Sequence, residues 1–399
     1  MKKNFLIKLT AILLSPLLLF SFVGALAADD VIPINDTAND QEAPAKDTLQ
    51  LDCKSAILME ASTGKVLYEQ NADEALPPAS VTKVMTLLLV MEAIDSGKIS
   101  LDDMVTTSAH AASMGGSQIY LEEGEQMSVE DMVKSVVIAS ANDAACALAE
   151  FVSGSEEAFV KAMNERAKEL GMKSAVFENT NGLDDTAENH VISARDIAIM
   201  SSELIKYEKI LEYSSIWMDT IRNGEFGLTN TNRLVRYYNG CTGLKTGSTS
   251  KAGFCISATA ERDGLKLVCV IMGAETRDIR NAAATRLLDW GFANCSVYTH
   301  KAEKLDPISV LGGAQTSVGV TYGDFSCVAD KDDISKIEIK FELPERLSAP
   351  LKKGDKIGAA VFWCDGKEIG RSDVYVTDDV SKIGYFDVWL RMLGKYLLK

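Results

Sequence analysis

Two groups of strand-forming segments, separated by a long helical stretch, constrain the fold of this chain more than any other feature. Residues 55–60 and 65–70 form the first group, and residues 252–261 and 265–273 form the second. The segments are rich in apolar residues and turns containing glycine separate the members of each group, as is typical of paired strands. We therefore expect one sheet assembled from both groups, with the helical stretch inserted between them.

Helical signals occupy the stretch between the two groups and the residues after the second. Ser128 and Asp131 form an S-x-x-D capping pattern at the start of one helix, and Gly97 and Gly154 follow the ends of two others. The predicted helices cover residues 80–96, 128–138, 143–152, 156–170, 193–211 and 277–290. This order predicts a mixed α/β (α+β) domain over residues 51–294.

The residue pattern changes after position 294. Short strand-like runs follow one another, with turns rich in Gly and Asp between them. The runs cover residues 317–322, 337–343, 357–364 and 372–377. They predict a small all-β domain over residues 295–380.

Residues 381–399 combine aromatic and aliphatic side chains with Arg391, Lys395 and Lys399. At helical spacing these residues make an apolar face with basic edges. We interpret the segment as an amphipathic helix that anchors the protein to a membrane surface. A helix packed on the protein's own core is the alternative.

The first 27 residues have the composition of a cleaved secretory signal peptide. Lysines 2, 3 and 8 precede an apolar run, and Ala25-Leu26-Ala27 supplies the small residues of a cleavage site. A membrane-spanning helix is the alternative, although the run is short and ends in small residues. Residues 28–50 are acidic with little apolar content, which predicts a disordered linker. We expect an exported protein that works outside the cytoplasm.

Composition narrows the possible chemistries and partners. The net charge of −16, with no basic cluster, argues against nucleic acid as a partner. The eight cysteines form no C-x-x-C pair and lie mostly in apolar runs, so we expect buried free thiols rather than a disulfide framework, with occasional pairing left open. His110, His190 and His300 belong to no H-E-x-x-H motif, and Ser80 lies in no G-x-S-x-G elbow. We expect no metal, no cofactor and no α/β-hydrolase triad.

Ser80-Val81-Thr82-Lys83 is an S-x-x-K string at the start of a predicted helix. Helical spacing places residues i and i+3 on one face, so the Lys83 amine can reach the Ser80 hydroxyl. The apolar residues that follow predict a buried helix, and burial lowers the pKa of an amine, which makes Lys83 a candidate general base for a Ser80 nucleophile. An ion-paired structural lysine is the alternative. Two further S-x-x-K strings, beginning at Ser62 and Ser248, lie in or beside strands and lack helical spacing.

Ser140-Ala141-Asn142 falls between two predicted helices. Taken alone, Ser and Asn at such a junction more often cap a helix. With the S-x-x-K string upstream, the Ser140 hydroxyl can instead pass a proton to a leaving amine. The Asn142 amide can hold both Lys83 and a substrate carbonyl.

Lys245-Thr246-Gly247 is the rarest of the three strings, and it precedes a predicted strand. Lys245 and Thr246 can receive a substrate carboxylate, and Gly247 lets the substrate backbone approach closely. The backbone N–H groups of Ser80 and Ser248 can form an oxyanion hole. A phosphate-binding loop is the competing interpretation, but G-x-x-x-x-G-K-[ST] is absent.

In this order the three strings are marks of class A β-lactamases and penicillin-binding proteins. The span from about Leu51 to Asn294 resembles the low-molecular-weight penicillin-binding proteins, the serine-type D-alanyl-D-alanine carboxypeptidases of the peptidase S11 type. Further matching strings are Ile57-Leu58-Met59-Glu60-Ala61-Ser62-Thr63-Gly64-Lys65, Pro77-Pro78-Ala79-Ser80, Asn181-Gly182-Leu183, Thr242-Gly243-Leu244-Lys245-Thr246-Gly247 and Ala252-Gly253-Phe254. Ala141 departs from the pattern of β-lactamases, which usually carry Asp there.

The resemblance implies a penicillin-recognising serine transferase/β-lactamase-like fold, with an antiparallel sheet beside a helical subdomain. It implies a peptidoglycan stem peptide ending in D-Ala-D-Ala as substrate, β-lactams as covalent inhibitors, and a bacterial enzyme on the outer face of the cytoplasmic membrane. By motif position Ser80 resembles the acylated nucleophile and Lys83 its base. Ser140 resembles the proton relay, Asn142 a positioning group, and Lys245 the cation that holds the terminal carboxylate.

Three alternatives remain at this point. A β-lactamase needs a deacylating glutamate, and the residues after Glu178 do not supply an E-x-x-L-N pattern. A D,D-endopeptidase or transpeptidase would share every catalytic residue. A wall-binding protein without turnover would show a damaged motif, and none of the three strings is damaged.

Overall fold

The computed structural model describes residues 49–397. The predicted signal peptide and nearly all of the predicted linker lie outside the described residues. Within 49–397, no helix combines the length and the apolar character needed to cross a bilayer.

The described residues form ten α-helices and eighteen β-strands. The helices are α1 (Lys83–Asp95), α2 (Ala109–Ala112), α3 (Val129–Ile138), α4 (Asn142–Ser153), α5 (Glu156–Glu169), α6 (Ala194–Leu204), α7 (Glu208–Ser214), α8 (Leu234–Tyr237), α9 (Arg277–Asn294) and α10 (Tyr385–Leu397). The strands up to residue 300 are β1 (Ser55–Glu60), β2 (Val66–Gln70), β3 (Met104–Thr106), β4 (Gln126–Ser128), β5 (Met218–Ile221), β6 (Phe226–Thr229), β7 (Cys241–Thr249), β8 (Gly253–Arg262), β9 (Leu265–Ala274) and β10 (Cys295–His300). The later strands are β11 (Ile308–Leu311), β12 (Ser317–Val318), β13 (Val320–Tyr322), β14 (Phe325–Asp330), β15 (Glu338–Glu342), β16 (Arg346–Ser348), β17 (Lys356–Cys364) and β18 (Lys367–Val376).

The main sheet has five antiparallel strands in the order β2-β1-β9-β8-β7. Strands from before and after the helical stretch therefore meet in one sheet. Its strands β1, β2, β8 and β9 are those predicted from the sequence, and β7 adds a fifth strand at the edge. The apolar runs of β8 and β9 are buried on both faces because α9 covers one side, and α1 and α6 lie on the other. β7 lies at the edge of the sheet and pairs with β8.

Helix α1 forms the centre of the helical part of the molecule. Val84, Met85, Leu87 and Leu88 have no exposed surface, and they pack with residues of α3, α4 and α6. The sequence predicted that this helix begins at Ser80, but a 3₁₀ turn over Ala79–Thr82 precedes α1. The Thr82 hydroxyl donates to the Ala79 carbonyl at 2.8 Å and stabilises that tight turn.

The prediction of one helix over residues 193–211 is wrong. The chain forms α6 and α7 instead, because Tyr207 adopts an extended backbone (φ −84°, ψ 95°) that interrupts the helical path. The predicted strand at 317–322 is likewise divided into β12 and β13 at Gly319. Residues 205–207 separate α6 from α7, and Gly319 alone separates β12 from β13.

The residues after α9 form a small domain of antiparallel and mixed strands. Its main sheet has the order β13-β18-β17-β15, and β12-β11-β16 and β10-β14 form smaller sheets. Two contacts join this β domain to the preceding residues: Lys65 Nζ, just before β2, donates to the Val328 carbonyl at 2.9 Å, and Lys331 Nζ donates to the Phe292 carbonyl of α9 at 2.9 Å. Val328 also packs in the core beneath α9.

All eight cysteines are free thiols, as the sequence predicted. Four of them are buried and the other four are partly buried, so full burial holds for only half of the set.

Candidate active site

The Ser80 hydroxyl and the Lys83 amine lie together at the N-terminal end of α1. Lys83 Nζ is 2.9 Å from Ser80 Oγ and 2.9 Å from the Asn181 carbonyl oxygen. The 3₁₀ turn creates this contact, since a tight turn stacks residues three apart almost directly above one another. An uncharged amine that donates one N–H to Asn181 keeps its lone pair for the Ser80 proton.

Burial sets the protonation behaviour of Lys83. Its side chain has no exposed surface, and desolvation lowers its pKa well below the usual lysine value. The positive charge of Lys245 lowers the pKa further, while the Asp143 carboxylate acts in the opposite direction. Burial therefore favours the uncharged form of the Lys83 amine, which is the form that can accept a proton.

Ser140 and Lys245 form the second polar pair. Lys245 Nζ donates to Ser140 Oγ at 2.9 Å and to the Thr246 carbonyl at 2.9 Å. Ser140 lies between α3 and α4 with a positive φ of 65°, a conformation that a side chain other than glycine rarely adopts. Such strain persists only where the surrounding structure holds it, and here it directs the Ser140 hydroxyl to Lys245.

Lys245 is also an amine without exposed surface. Burial lowers its pKa to about 7, and the nearby Arg280 guanidinium contributes in the same direction. Arg280 is itself buried on α9, where it donates to Asn281 Oδ1 at 2.8 Å and to the Cys255 carbonyl at 3.4 Å. An anionic group brought next to Lys245 would stabilise its charged form.

Asn142 begins α4 beside these pairs. Its Nδ2 donates to the Gly115 carbonyl at 2.7 Å, and its buried Oδ1 has no hydrogen-bond partner among the described residues. An unpaired buried acceptor is costly and suits a ligand N–H group. The sequence predicted that this amide holds Lys83, but the backbone carbonyl of Asn181 occupies that position relative to the amine.

The remaining predicted site residues lie along β7. Thr246 is buried and donates from Oγ1 to Thr231 Oγ1 at 2.8 Å, while Ser248 is exposed. Gly247 passes so close to the Ser80 turn that a β-carbon there would lie 2.7 Å from the Ser80 nitrogen. The edge strand β7 and the turn that carries Ser80 are therefore in direct contact, as a shared cleft requires.

Sequence reasoning missed several residues that hold the site. Asn181 reaches Lys83 across the fold, and Gly182 packs so tightly that its β-carbon would lie 1.9 Å from the Ala79 carbonyl oxygen. His190 Nε2 lies 2.8 Å from Thr82 Oγ1, and its Nδ1 accepts from the Glu178 N–H at 3.2 Å. The Asn181-Gly182-Leu183 string is among those that resemble the family, but the resemblance gave these residues no role in the site.

Comparison with known proteins assigns the chain to a family. A model described as D-alanyl-D-alanine carboxypeptidase, peptidase S11, matches residues 38–276, which is more than half of the chain. The chain belongs to the D-alanyl-D-alanine carboxypeptidase family. A second model, for the C-terminal domain of penicillin-binding protein 5, matches residues 296–382.

Relatives of this family resemble the chain along most of its length. The D-alanyl-D-alanine carboxypeptidase DacF of Bacillus subtilis (strain 168) is 42% identical over 89% of this chain and 93% of its own. The crystal structure of penicillin-binding protein 5 from Haemophilus influenzae is 32% identical and has a TM-score of 0.73, covering 86% of this chain and 100% of its own. Penicillin-binding protein D2 from Listeria monocytogenes, solved in an ampicillin-bound form, is 34% identical with a TM-score of 0.56, covering 61% of this chain and 98% of its own.

These findings confirm the family resemblance, the serine-hydrolase class and the fold class inferred from the sequence. The five-stranded antiparallel sheet, the helical subdomain and the C-terminal β domain are those of the carboxypeptidase family. Binding of a β-lactam is recorded in the family by the ampicillin-bound structure.

Proposed function

We propose that this chain removes the terminal D-Ala from peptidoglycan stem peptides through an acyl ester on Ser80. The observation that carries the proposal is the 2.9 Å separation of Ser80 Oγ and Lys83 Nζ, together with burial that lowers the pKa of that amine. A serine hydroxyl is a weak nucleophile until an adjacent base accepts its proton. Lys83 is that base.

In the acylation step Ser80 Oγ attacks the carbonyl carbon of the penultimate D-Ala, and its proton passes to Lys83 Nζ. The C–N bond to the terminal D-Ala breaks, and the departing amine takes the proton held by Lys83 Nζ, passed on through Ser140, which leaves Lys83 uncharged. The N–H groups of Ser80 and Ser248 hold the developing oxyanion, which preorganised donors stabilise strongly. Water then attacks the ester carbon, with Lys83 accepting its proton. The bond from that carbon to Ser80 Oγ breaks, the proton returns from Lys83 to Ser80 Oγ, and the shortened peptide leaves with a new carboxylate.

Lys245 and Thr246 receive the terminal carboxylate of the substrate. Lys245 is buried with a pKa of about 7, so an incoming carboxylate favours its charged form. Asn142 Oδ1, which lacks a partner within the described part of the chain, accepts an N–H of the stem peptide. These groups fix the D-Ala-D-Ala end relative to Ser80.

A β-lactam presents a carboxylate and an amide carbonyl in the same relation as the substrate, so it acylates Ser80 as a covalent inhibitor. No metal and no dissociable cofactor takes part in these steps.

We further propose an exported protein, with residues 1–27 as a signal peptide, residues 28–50 as a linker and α10 as a peripheral membrane anchor. Tyr385, Phe386 and Trp389 of α10 are 92%, 68% and 53% exposed, which supports a face turned toward lipid rather than toward the protein core. The domain limits at 51–294 and 295–380 belong to the same proposal.

Two assays test the catalytic proposal. The purified protein should release D-Ala from a pentapeptide ending in D-Ala-D-Ala and should retain a labelled penicillin after denaturation, whereas Ser80→Ala should do neither. Ser62→Ala is the matched control, because Ser62 also precedes a lysine by three residues but lies in the exposed turn between β1 and β2. Labelling of Ser80→Ala equal to that of the parent would contradict the proposal.

A further inference from the structure

Four potential metal ligands, none of them among the residues assigned to the Ser80 site, converge in the helical subdomain. His110 comes from α2, Cys146 and Glu150 from α4, and Glu156 from the start of α5. One ligand atom from each of His110, Cys146 and Glu150 lies within 4.8 Å of the others. The Glu156 carboxylate lies 2.7 Å from His110 Nε2.

The helical spacing explains part of this arrangement. Cys146 and Glu150 are four residues apart on α4, so their side chains lie on one face. Gly154 ends α4 with a left-handed backbone, and Ser155 caps α5, so the chain reverses and brings Glu156 back beside Cys146. The negative charges of Glu156 and Glu150 add to burial in raising the pKa of the Cys146 thiol.

We propose that His110, Cys146, Glu150 and Glu156 form a binding site for a thiophilic divalent cation, with Zn²⁺ as the best match. A thiolate, an imidazole nitrogen and carboxylate oxygens are the donors that Zn²⁺ takes in tetrahedral sites, whereas Mg²⁺ and Ca²⁺ prefer oxygen alone. Tetrahedral donors around Zn²⁺ lie about 3.3–3.8 Å apart, so the four groups close by small side-chain rotations.

Binding moves protons as well as side chains. The cation replaces the thiol proton of Cys146, which leaves as H⁺ to solvent, and it separates the His110 ring from the Glu156 carboxylate. His110 is 52% exposed and Glu156 is 14% exposed, so the site opens to solvent on the His110 side while the Cys146 sulfur stays buried. The cation neutralises a cluster in which two carboxylates surround a buried thiol.

Only one oxygen of Glu156 is available to the cation. Its Oε1 accepts from the Thr180 hydroxyl at 2.7 Å and from the Thr180 N–H at 3.1 Å, whereas Oε2 faces His110. Thr180 precedes Asn181, whose carbonyl contacts Lys83. For this reason Glu156 is left unchanged in the test, and Cys146 and His110 are replaced.

The experiment uses the purified full chain with Zn²⁺ and Co²⁺ as probes. We expect one Zn²⁺ per chain in competition with a chelating dye, and Co²⁺ should give a thiolate-to-cobalt charge-transfer band. Cys146→Ser should remove that band, and both Cys146→Ser and His110→Gln should lower the Zn²⁺ affinity by about 100-fold or more.

Cys269→Ser is the matched control, because Cys269 is a fully buried thiol on β9 that belongs to no such cluster. It should leave the charge-transfer band and the Zn²⁺ affinity at parental values. Absence of the band in the parent, or equal Zn²⁺ affinity of the parent and His110→Gln, would overturn the proposal and leave only a surface ion pair. The exposed His110 keeps the test valid even if Cys146→Ser does not fold.

Discussion

Lys83 and Lys245 are both fully buried amines, yet their neighbours differ. Lys83 contacts the Ser80 hydroxyl and a backbone carbonyl, whereas Lys245 contacts the Ser140 hydroxyl and has Arg280 nearby. Each charge makes a second charge nearby more costly, so the charge of Lys245 helps to keep Lys83 neutral. A bound carboxylate strengthens this difference in charge between the two lysines, since it favours the charged form of Lys245.

The first prediction concerns the pH dependence of kcat/KM for a D-Ala-D-Ala peptide. The pKa of Lys245 in the free enzyme is about 7, so raising the pH above 7 removes the cation that receives the carboxylate. We expect kcat/KM to fall about tenfold for each pH unit on this alkaline limb. Steady-state measurements from pH 5 to 10 check it.

Two controls separate Lys245 from other titrating groups. Lys245→Arg keeps its charge throughout this range and should lose the limb near pH 7. A peptide whose terminal carboxylate is amidated should react slowly and without that limb. If the limb persists at the same pH in Lys245→Arg, Lys245 is not the titrating group.

His190 gives a prediction for stability. Burial lowers its pKa from 6.5 to about 4, so the folded protein holds it neutral while the unfolded chain binds a proton. The contribution of His190 to the free energy of unfolding is therefore fully present above pH 6.5. It is lost as the pH falls from 6.5 to 4, and the loss is about 3 kcal/mol. Denaturant titrations at several pH values measure the free energy of unfolding. His190→Asn should be less stable than the parent at pH 7, and its free energy of unfolding should depend less steeply on pH between 4 and 6.5. An unchanged pH dependence in His190→Asn would contradict the assignment of this stability change to His190.

At the scale of elements, the edge strand β7 and the Ser80 turn lie in close contact at Gly247. In Gly247→Ala the added methyl would lie 2.7 Å from the Ser80 nitrogen and 2.9 Å from the Pro78 carbonyl oxygen. Strand and turn must then separate, and a displacement of this size costs about 100-fold in rate. The second-order rate of acylation by a labelled penicillin measures it.

Gly227→Ala is the matched control for this substitution. Gly227 also lies in a strand, β6, and a β-carbon there would meet nothing within 4 Å. We expect parental acylation rates for Gly227→Ala. Parental rates for Gly247→Ala as well would show that the close approach has no effect on catalysis.

The elements differ in how far the sequence could predict them. Apolar patterns predicted four of the five strands of the main sheet, all but β7, and most of α1, since long patterned segments are decided locally. The same pattern missed the break at Tyr207 and placed Ser80 in an α-helix rather than in a 3₁₀ turn. The Asn181 carbonyl beside Lys83 could not be derived, because 98 residues separate the two and only the tertiary fold brings them together.

At the scale of the whole molecule, α10 lies at the end of the β domain with a largely uncovered apolar face. The exposed fractions of Tyr385, Phe386, Trp389, Leu390 and Met392 range from 50% to 92%. Arg391 donates to the Ala314 carbonyl, which ties the helix to the β domain. Aromatic residues beside basic ones are the composition that binds at the interface of an anionic bilayer.

Truncation after residue 383 tests this arrangement without touching the catalytic residues. The intact protein should sediment with vesicles of anionic phospholipid, and the truncated protein should remain in the supernatant, because α10 supplies the apolar surface that enters the interface. Both proteins should be acylated by a labelled penicillin at the same rate, which shows that the truncated form is folded. Trp389→Ser in the full chain should bind more weakly than the parent, whereas Tyr375→Ser, an exposed aromatic on β18, should bind equally. Continued sedimentation of the truncated protein would place the lipid contact elsewhere in the chain.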